Sequence, residues 1–193
     1  MSVDAPFAVV IGGSAGSLDV VRMIVQSLMD SLAAPIVIVI HLPAHSSGLT
    51  ELFGNHTSLP VKQAEDKEPI QPGTLYIAPP GYHLLIESHR AFALSVDPPV
   101  RFSRPAIDVL FESARDAYGA NLIGILLSGA SDDGAAGLHE IHQAGGVTIV
   151  QAPSSAESSI MPTAALTLFQ PTHVWSPEEM VSGLNPLLRA RCT

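Results

Sequence analysis

A serine framed by small residues is the strongest chemical signal in the chain. Val9 to Ile11 ends an apolar run, and Gly12-Gly13-Ser14-Ala15-Gly16 follows directly, before a helix-compatible stretch that opens at Leu18. This spacing fits the G-x-S-x-G elbow, in which a sharp turn between a strand and a helix exposes a nucleophilic hydroxyl. Glycines permit the positive φ that such a turn needs, and the helix N-terminus favours a developing negative charge.

Two other interpretations of the same residues remain open at this point. Glycine-rich turns between strand and helix also occur in α/β proteins for purely steric reasons. A dinucleotide fingerprint is disfavoured, because G-x-G-x-x-G would need glycines where Ser14 and Ser17 stand, and His41 takes the place of a ribose-binding acid.

A histidine and two aspartates follow other predicted strands. His41 comes directly after the β-branched run Ile36 to Ile40, and Asp132 and Asp133 lie in the loop after Leu122 to Leu127. Strand ends of an open α/β sheet converge at a topological switch point, so Ser14, His41 and either aspartate would form a nucleophile, base and orienting acid. Three alternatives remain: His41 as a strand-end cap, both aspartates as solvated loop carboxylates, and Asp132 as the N-cap of the following helix.

The elements needed to position these groups alternate along the chain. The sequence predicts an α/β fold with a doubly wound, mostly parallel sheet, a Rossmann-like three-layer α/β/α arrangement and one antiparallel hairpin, in a single domain covering residues 1–193. Strands are predicted at 7–11, 36–40, 61–64, 74–78, 122–127, 147–150 and 173–175, and the hairpin at 83–87 with 91–96. Helices are predicted at 18–32, 106–118, 135–144 and 161–168 and from 177 onward.

Composition excludes several classes of protein. The 193 residues are 47% hydrophobic and 14% charged, with a net charge of −9, which disfavours nucleic acid as a partner. Membrane insertion is not expected, because no apolar run reaches the roughly 20 residues of a spanning helix. The single cysteine, Cys192, rules out an internal disulfide, and a cytoplasmic location is expected.

Several blocks, taken together, resemble the catalytic domain of the chemotaxis receptor methylesterases. They occur in order between about residues 7 and 175, and include IGGSAG (11–16), HLP (41–43), AED (64–66), PGTLYIAPP (72–80), RPAIDVLF (104–111), LSGASDDGAAG (127–137), AGG (144–146) and MP (161–162). The resemblance implies a cytoplasmic serine hydrolase that removes methyl esters from chemoreceptor glutamates and deamidates certain glutamines.

The resemblance also implies roles for particular residues. The nucleophile falls on Ser14, the base on His41, the orienting carboxylate on Asp133, and backbone oxyanion donors on Ala130 and, by position, Ala15. No cofactor and no metal is implied. Ala15 and Ala130 depart from the hydroxyl residue and the methionine that are frequent in the family, and no receiver domain precedes the matched blocks. The chain is therefore expected to be either a fragment of a longer protein or a stand-alone form, and a regulatory partner or a receiver domain acting in trans fits the second alternative.

Two arginines and a histidine-containing motif each allow both a functional and a purely structural interpretation. Arg101 and Arg104 are either solvated loop residues or a clamp for an acidic protein substrate. His139-Glu140-Ile141-His142 lacks the H-E-x-x-H spacing of a zinc hydrolase and is more typical of a helix surface. The competing function is a catalytically silent signalling or binding module of the same fold.

Overall fold

The computed structural model describes residues 7–30, 32–41 and 48–191, and its main feature is a parallel sheet. Strands β1 (Ala8–Gly13), β2 (Ile36–Ile40), β3 (Val61–Gln63), β4 (Leu75–Ile77), β7 (Leu122–Leu126), β8 (Val147–Gln151) and β9 (His173–Trp175) pair in the order β3-β4-β2-β1-β7-β8-β9. All of these pairings are parallel. Strands β5 (His83–Ile86) and β6 (Phe92–Ser95) form a separate antiparallel hairpin.

Helices cover both faces of this sheet. The helices are α1 (Leu18–Ser27), α2 (Leu49–Gly54), α3 (Ile107–Tyr118), α4 (Ala135–Gln143), α5 (Ile160–Leu168) and α6 (Pro177–Ala190). One apolar core joins the odd-numbered side chains of β1 to α1 and α6, and the other joins the even-numbered ones to α3, α4 and α5. Continuous burial along β1, β2 and β7 is typical of strands covered on both faces. The predicted three-layer α/β fold is confirmed.

Element boundaries differ from the prediction by a few residues. Helix α1 ends at Ser27 and not at Leu32, because Leu28 adopts an extended conformation. Strand β1 runs on to Gly13, two residues beyond the apolar run. The predicted loop at 42–47 and Cys192 lie outside the described residues. Within the described part of the chain, no helix combines the length and the apolar character needed to cross a membrane.

The switch point of the sheet lies between β1 and β7. The chain leaves β1 toward β2 on one side, and after β7 it continues to β8 on the other side. The loops after β2, β1 and β7 therefore emerge side by side at the carboxyl edge of the sheet, where α/β proteins place their ligand sites.

Candidate active site

Ser14 follows the last residue of β1 and is held by its backbone. Its N–H donates to the Ser128 carbonyl at 2.9 Å, and its carbonyl accepts from the N–H of Ser17 at 3.1 Å and from Ser17 Oγ at 2.7 Å. Gly16 has a φ of +76°, which supplies the reversal between strand and α1. Ser14 itself is half-buried, so its side chain remains within reach of a substrate.

His41 is the neighbour of Ser14 across the two strands. Gly13 pairs with Ile40 in the parallel register, and the N–H of His41 donates to the Gly13 carbonyl at 3.0 Å. Continuing that register places residues 14 and 41 side by side, at the ~5 Å separation of adjacent strands. Side chains alternate between sheet faces, so both residues belong to the face that α3 covers.

The imidazole of His41 is bound to a buried carboxylate. Its Nε2 lies 2.7 Å from Asp133 Oδ2, and the two side chains are 12% and 0% exposed. Asp133 follows β7 in the loop that leads to α4. The structure therefore brings an imidazole and a carboxylate 92 positions apart in sequence into direct contact.

Asp133 is held in its ionised form by hydrogen bonds. Burial by itself would raise the pKa of this carboxyl, but the bond from His41 and the backbone N–H groups of Asp108 and Ile107 lower the pKa below its usual value. The two N–H groups, at the start of α3, donate at 3.0 and 2.7 Å. An ionised carboxylate only accepts hydrogen bonds, so Nε2 of His41 carries the proton and Nδ1 presents a lone pair.

A second serine occupies the Nδ1 side of the imidazole. Ser103 Oγ lies 3.3 Å from His41 Nδ1, whereas Ser14 Oγ has no hydrogen-bond partner among the described residues. Catalytic hydrogen bonds are often long or unformed before substrate binds. The sequence analysis missed Ser103, because this residue does not directly follow any of the predicted strands.

Two backbone donors in the loops that meet at Ser14 have no partner among the described residues. The N–H groups of Ala15 and Ala130, the residues predicted as oxyanion donors, donate to no other group in the described part of the chain. Both residues are exposed, which leaves their N–H groups accessible to a substrate oxygen. Unpaired N–H groups of this kind can stabilise a developing oxyanion.

Buried hydrogen bonds and close packing hold the loop that carries Ala130 in place. Ser128 is fully buried, and its Oγ donates to the Ala15 carbonyl at 2.6 Å and accepts from the N–H of Ser158 at 2.9 Å. Gly129 lies so close to Met161 and Ser14 that a Cβ at this position would be 2.4 Å from Met161 Cε and 3.0 Å from Ser14 Cβ. These contacts tie the loops after β1 and β7 to the start of α5.

Asp132, the alternative to Asp133, faces elsewhere. Arg101 Nη1 pairs with Asp132 Oδ2, and Arg101 Nε donates to Asp108 Oδ2 at 3.2 Å. The N-cap of α4 is Gly134, so the interpretation of Asp132 as that cap is wrong. Burial raises the pKa of Asp108, although the N–H of Gly137 donates to it at 2.8 Å.

The weaker sequence features have structural partners. Arg104 Nη1 donates to the carbonyls of Val96 and Asp97, and the side chain lines a cavity of about 310 Å³ beside His41. His139 and His142 each lie against the Phe169 ring, with centroids 5.1 and 5.0 Å apart. In the described ranges no group of three His, Cys, Asp or Glu side chains gathers as metal ligands would.

Comparison with known proteins agrees with this architecture. The sequence model of the CheB methylesterase family matches residues 9–184. A relative from Leptospira interrogans, provisionally named protein-glutamate methylesterase/protein-glutamine glutaminase, is 43% identical over 174 residues, which are 90% of each chain. Protein-glutamate methylesterase/protein-glutamine glutaminase 2 of Methanospirillum hungatei is 38% identical over 95% of this chain and 53% of its own length.

A solved structure has the same fold. The Thermotoga maritima CheB methylesterase catalytic domain superposes with a TM-score of 0.89 at 29% identity, over 94% of this chain and 98% of that one. The family match covers most of the sequence, and the Leptospira relative matches along nearly its whole length. The chain therefore belongs to the CheB methylesterase family, and with it to the carboxylic ester hydrolases.

Proposed function

We propose that this protein hydrolyses the methyl esters of glutamate side chains in chemoreceptors, with Ser14 as nucleophile, His41 as base and Asp133 as orienting carboxylate. The observation that carries the proposal is the 2.7 Å contact between His41 Nε2 and Asp133 Oδ2. Because the carboxylate engages Nε2, Nδ1 is the atom that can accept a hydroxyl proton, and Ser103 Oγ lies 3.3 Å from it in the structure. A buried, ionised carboxylate holding one tautomer of a histidine is the arrangement on which acyl transfer by a serine depends.

The reaction follows from these positions. Nδ1 of His41 accepts the hydroxyl proton of Ser14 as Oγ attacks the ester carbonyl, and the N–H groups of Ala15 and Ala130 donate to the oxyanion. The imidazolium then passes the proton to the methoxy oxygen, and methanol leaves. Water, deprotonated by His41, attacks the glutamyl ester on Ser14, and Oγ recovers its proton as the glutamate carboxylate departs.

The same steps permit deamidation of glutamine, with ammonia as the leaving group. The names of the Leptospira and Methanospirillum relatives include a protein-glutamine glutaminase activity. We infer that this second activity belongs to the same site. Control by a receiver domain in trans and a cytoplasmic location stay predictions of the sequence.

Replacing the nucleophile tests the proposal. Ser14→Ala is expected to lower methanol release from methylated chemoreceptor by several orders of magnitude, on the order of 10⁶ as in a well-studied protease. The circular dichroism spectrum should not change, because Ser14 Oγ makes no hydrogen bond within the described residues. A fluorophosphonate probe should label the parent protein and leave the variant unlabelled.

Ser103→Ala is the matched control, because Ser103 is the other hydroxyl within reach of His41 Nδ1. It should retain both labelling and measurable methanol release. Labelling that maps to Ser103 would contradict the assignment of Ser14. A parent protein that neither takes the probe nor releases methanol would favour the silent module, which the absence of a Ser14–His41 hydrogen bond also suits.

A further inference from the structure

The loop before α3 contains a tight turn of unusual composition. The N–H of Val100 donates to the Ser103 carbonyl at 3.1 Å, and the N–H of Ser103 donates to the Val100 carbonyl at 2.8 Å. The two residues between them, Arg101 and Phe102, have φ values of +48° and +64°. Turns of this geometry strongly prefer asparagine, aspartate and glycine at both central positions, because other side chains are strained there.

Only one of the two strained residues is explained by contacts within the chain. Arg101 pairs with Asp108 and Asp132, and so links the turn to the starts of α3 and α4. Phe102 has a relative exposure of 103%, so none of the residues that the structure describes covers its ring. A bulky apolar residue held in a strained conformation and wholly in water contributes nothing to folding, which points to a function outside the chain.

The position of Phe102 indicates what that function is. Phe102 lines the cavity beside His41, and the next residue, Ser103, contacts His41 Nδ1. Two further apolar residues with exposed surface are sequence neighbours of residues that line the cavity: Tyr82, 43% exposed, follows Gly81, and Val100, 36% exposed, follows Pro99. The exposed ring therefore stands in solvent at the rim of the cavity that His41 also lines.

We propose that Phe102 anchors the protein substrate by packing against an apolar side chain next to the esterified glutamate. This inference rests on the proposed function and deepens it. The occupant is the methylated protein and not a second copy of this chain, because Phe102 and His41 line the same cavity, and a permanent partner there would close the site. Exposed aromatic residues at the centre of a contact supply a large share of binding energy.

Two synthetic peptides test the anchor directly. Each carries one glutamate γ-methyl ester at the centre of a helix-forming sequence, flanked at helical spacing by leucines in one peptide and by alanines in the other. Rates of methanol release are expressed per active site titrated with the fluorophosphonate probe, so that any unfolded fraction does not count. The parent protein should prefer the leucine peptide in kcat/KM by roughly 5–30-fold, the range for one buried aromatic contact.

Substitutions at Phe102 should change that preference without disturbing the turn. Phe102→Asn removes the ring and suits the left-handed conformation, so the preference should fall toward one. Phe102→Tyr keeps the ring and should keep the preference. Val174→Asn is the matched control, because Val174 is 43% exposed on β9, at the opposite edge of the sheet from β3 and two strands beyond β7. This control should keep the full preference.

The outcomes separate this inference from the proposed function. A parent protein without a preference, or an equal preference in Phe102→Asn, overturns the anchor. Loss of self-association in Phe102→Asn with the peptide preference unchanged assigns the ring to a second copy, and also overturns it. Were neither peptide hydrolysed, the proposed function would fail on this substrate. The affinities of the two peptides for the Ser14→Ala protein would then still test the role of Phe102. Tighter binding of the leucine peptide supports the anchor, and equal binding overturns it.

Discussion

Asp132 and Asp133 are neighbouring carboxylates with different surroundings. Asp133 is fully buried and accepts from His41 and from two N–H groups of α3, whereas Asp132 is 56% exposed at its side chain and pairs with Arg101. A negative charge on Asp133 fixes the tautomer of His41, while a charge on Asp132 is largely screened by water. The contribution of each carboxylate to hydrolysis should therefore differ by orders of magnitude.

Substituting each aspartate by asparagine measures that difference. Asp133→Asn is expected to lower kcat for methanol release by about 10³–10⁴, because an amide at this position no longer enforces the productive tautomer. Asp132→Asn is the control and should change kcat by less than roughly fivefold, since it removes only an exposed ion pair. Equal losses in the two variants would contradict the assignment of Asp133.

Sequence reasoning reached some of these residues and missed others for identifiable reasons. Ser14 and His41 could be nominated because each directly follows a long apolar strand. The choice of Asp133 over Asp132 needed the family resemblance, because adjacent loop residues have equivalent spacing. Ser103 was missed because its position depends on left-handed Arg101 and Phe102, a conformation that those residue types disfavour.

The contact between β1 and α3 sets the position of Asp133. A Cβ added to Gly12 would lie 2.3 Å from Ile107 Cγ2, so only glycine allows α3 to approach the strand this closely. Ile107 begins α3, and its N–H donates to Asp133 Oδ2. The second glycine at this contact is Gly134, where an added Cβ would lie 2.6 Å from the same Ile107 atom.

Gly12→Ala should therefore affect both stability and catalysis. The extra methyl group pushes Ile107 away from β1, and we expect a loss of about 1–3 kcal/mol in the free energy of unfolding, as for other overpacked cores. Displacing Ile107 also moves a hydrogen-bond donor of Asp133, so kcat should fall. Urea denaturation and methanol release measure the two effects.

Gly54→Ala is the corresponding control. Gly54 ends α2, and a Cβ there would meet only Val61 Cβ at 3.9 Å, an ordinary contact distance. Both stability and kcat should match the parent protein. A Gly12→Ala protein as stable as Gly54→Ala would show that α3 is not held by this close approach.

Most elements were predictable, because their apolar residues recur at regular spacing and residues such as proline or a capping serine mark where the elements begin or end. Strand β2 and strand β9 match their predicted bounds, and Pro177 begins α6 after the capping residue Ser176. The tail predicted for α1 beyond Ser27 failed because apolar residues continue through Leu32 without helical backbone. Apolar spacing reports burial, and burial persists where a helix has already ended.

At the scale of the whole molecule, two buried carboxylates make the free energy of unfolding depend on pH. The pKa of Asp133 is lowered in the folded state, so its ionisation stabilises the fold at neutral pH, and this contribution is lost as pH falls through the folded pKa. Burial raises the pKa of Asp108, so its ionisation has the opposite sign and its protonation stabilises the fold as pH falls. The contributions of the two carboxylates to the pH dependence of stability therefore oppose each other in the parent protein.

Comparing the parent protein with Asp133→Asn isolates the Asp133 contribution. We expect the variant to be less stable by roughly 1–3 kcal/mol at pH 7, the cost of poorly satisfied buried donors. The difference should stay constant above pH ~5 and shrink below pH ~4, where unfolded aspartates begin to protonate. Urea denaturation at several pH values measures it, and a difference that grows toward acid pH would reverse the sign assigned to Asp133.

The separation of 92 residues between His41 and Asp133 has a consequence for protein synthesis. A growing polypeptide that has completed β1 and β2 contains both Ser14 and His41, but the imidazole has no carboxylate to hold it. Asp133 is translated far later, and the loop beneath Ala130 needs Ser158 as well. The nascent enzyme should therefore remain inert toward esters on the ribosome and acquire activity only once the second half of the sheet has assembled.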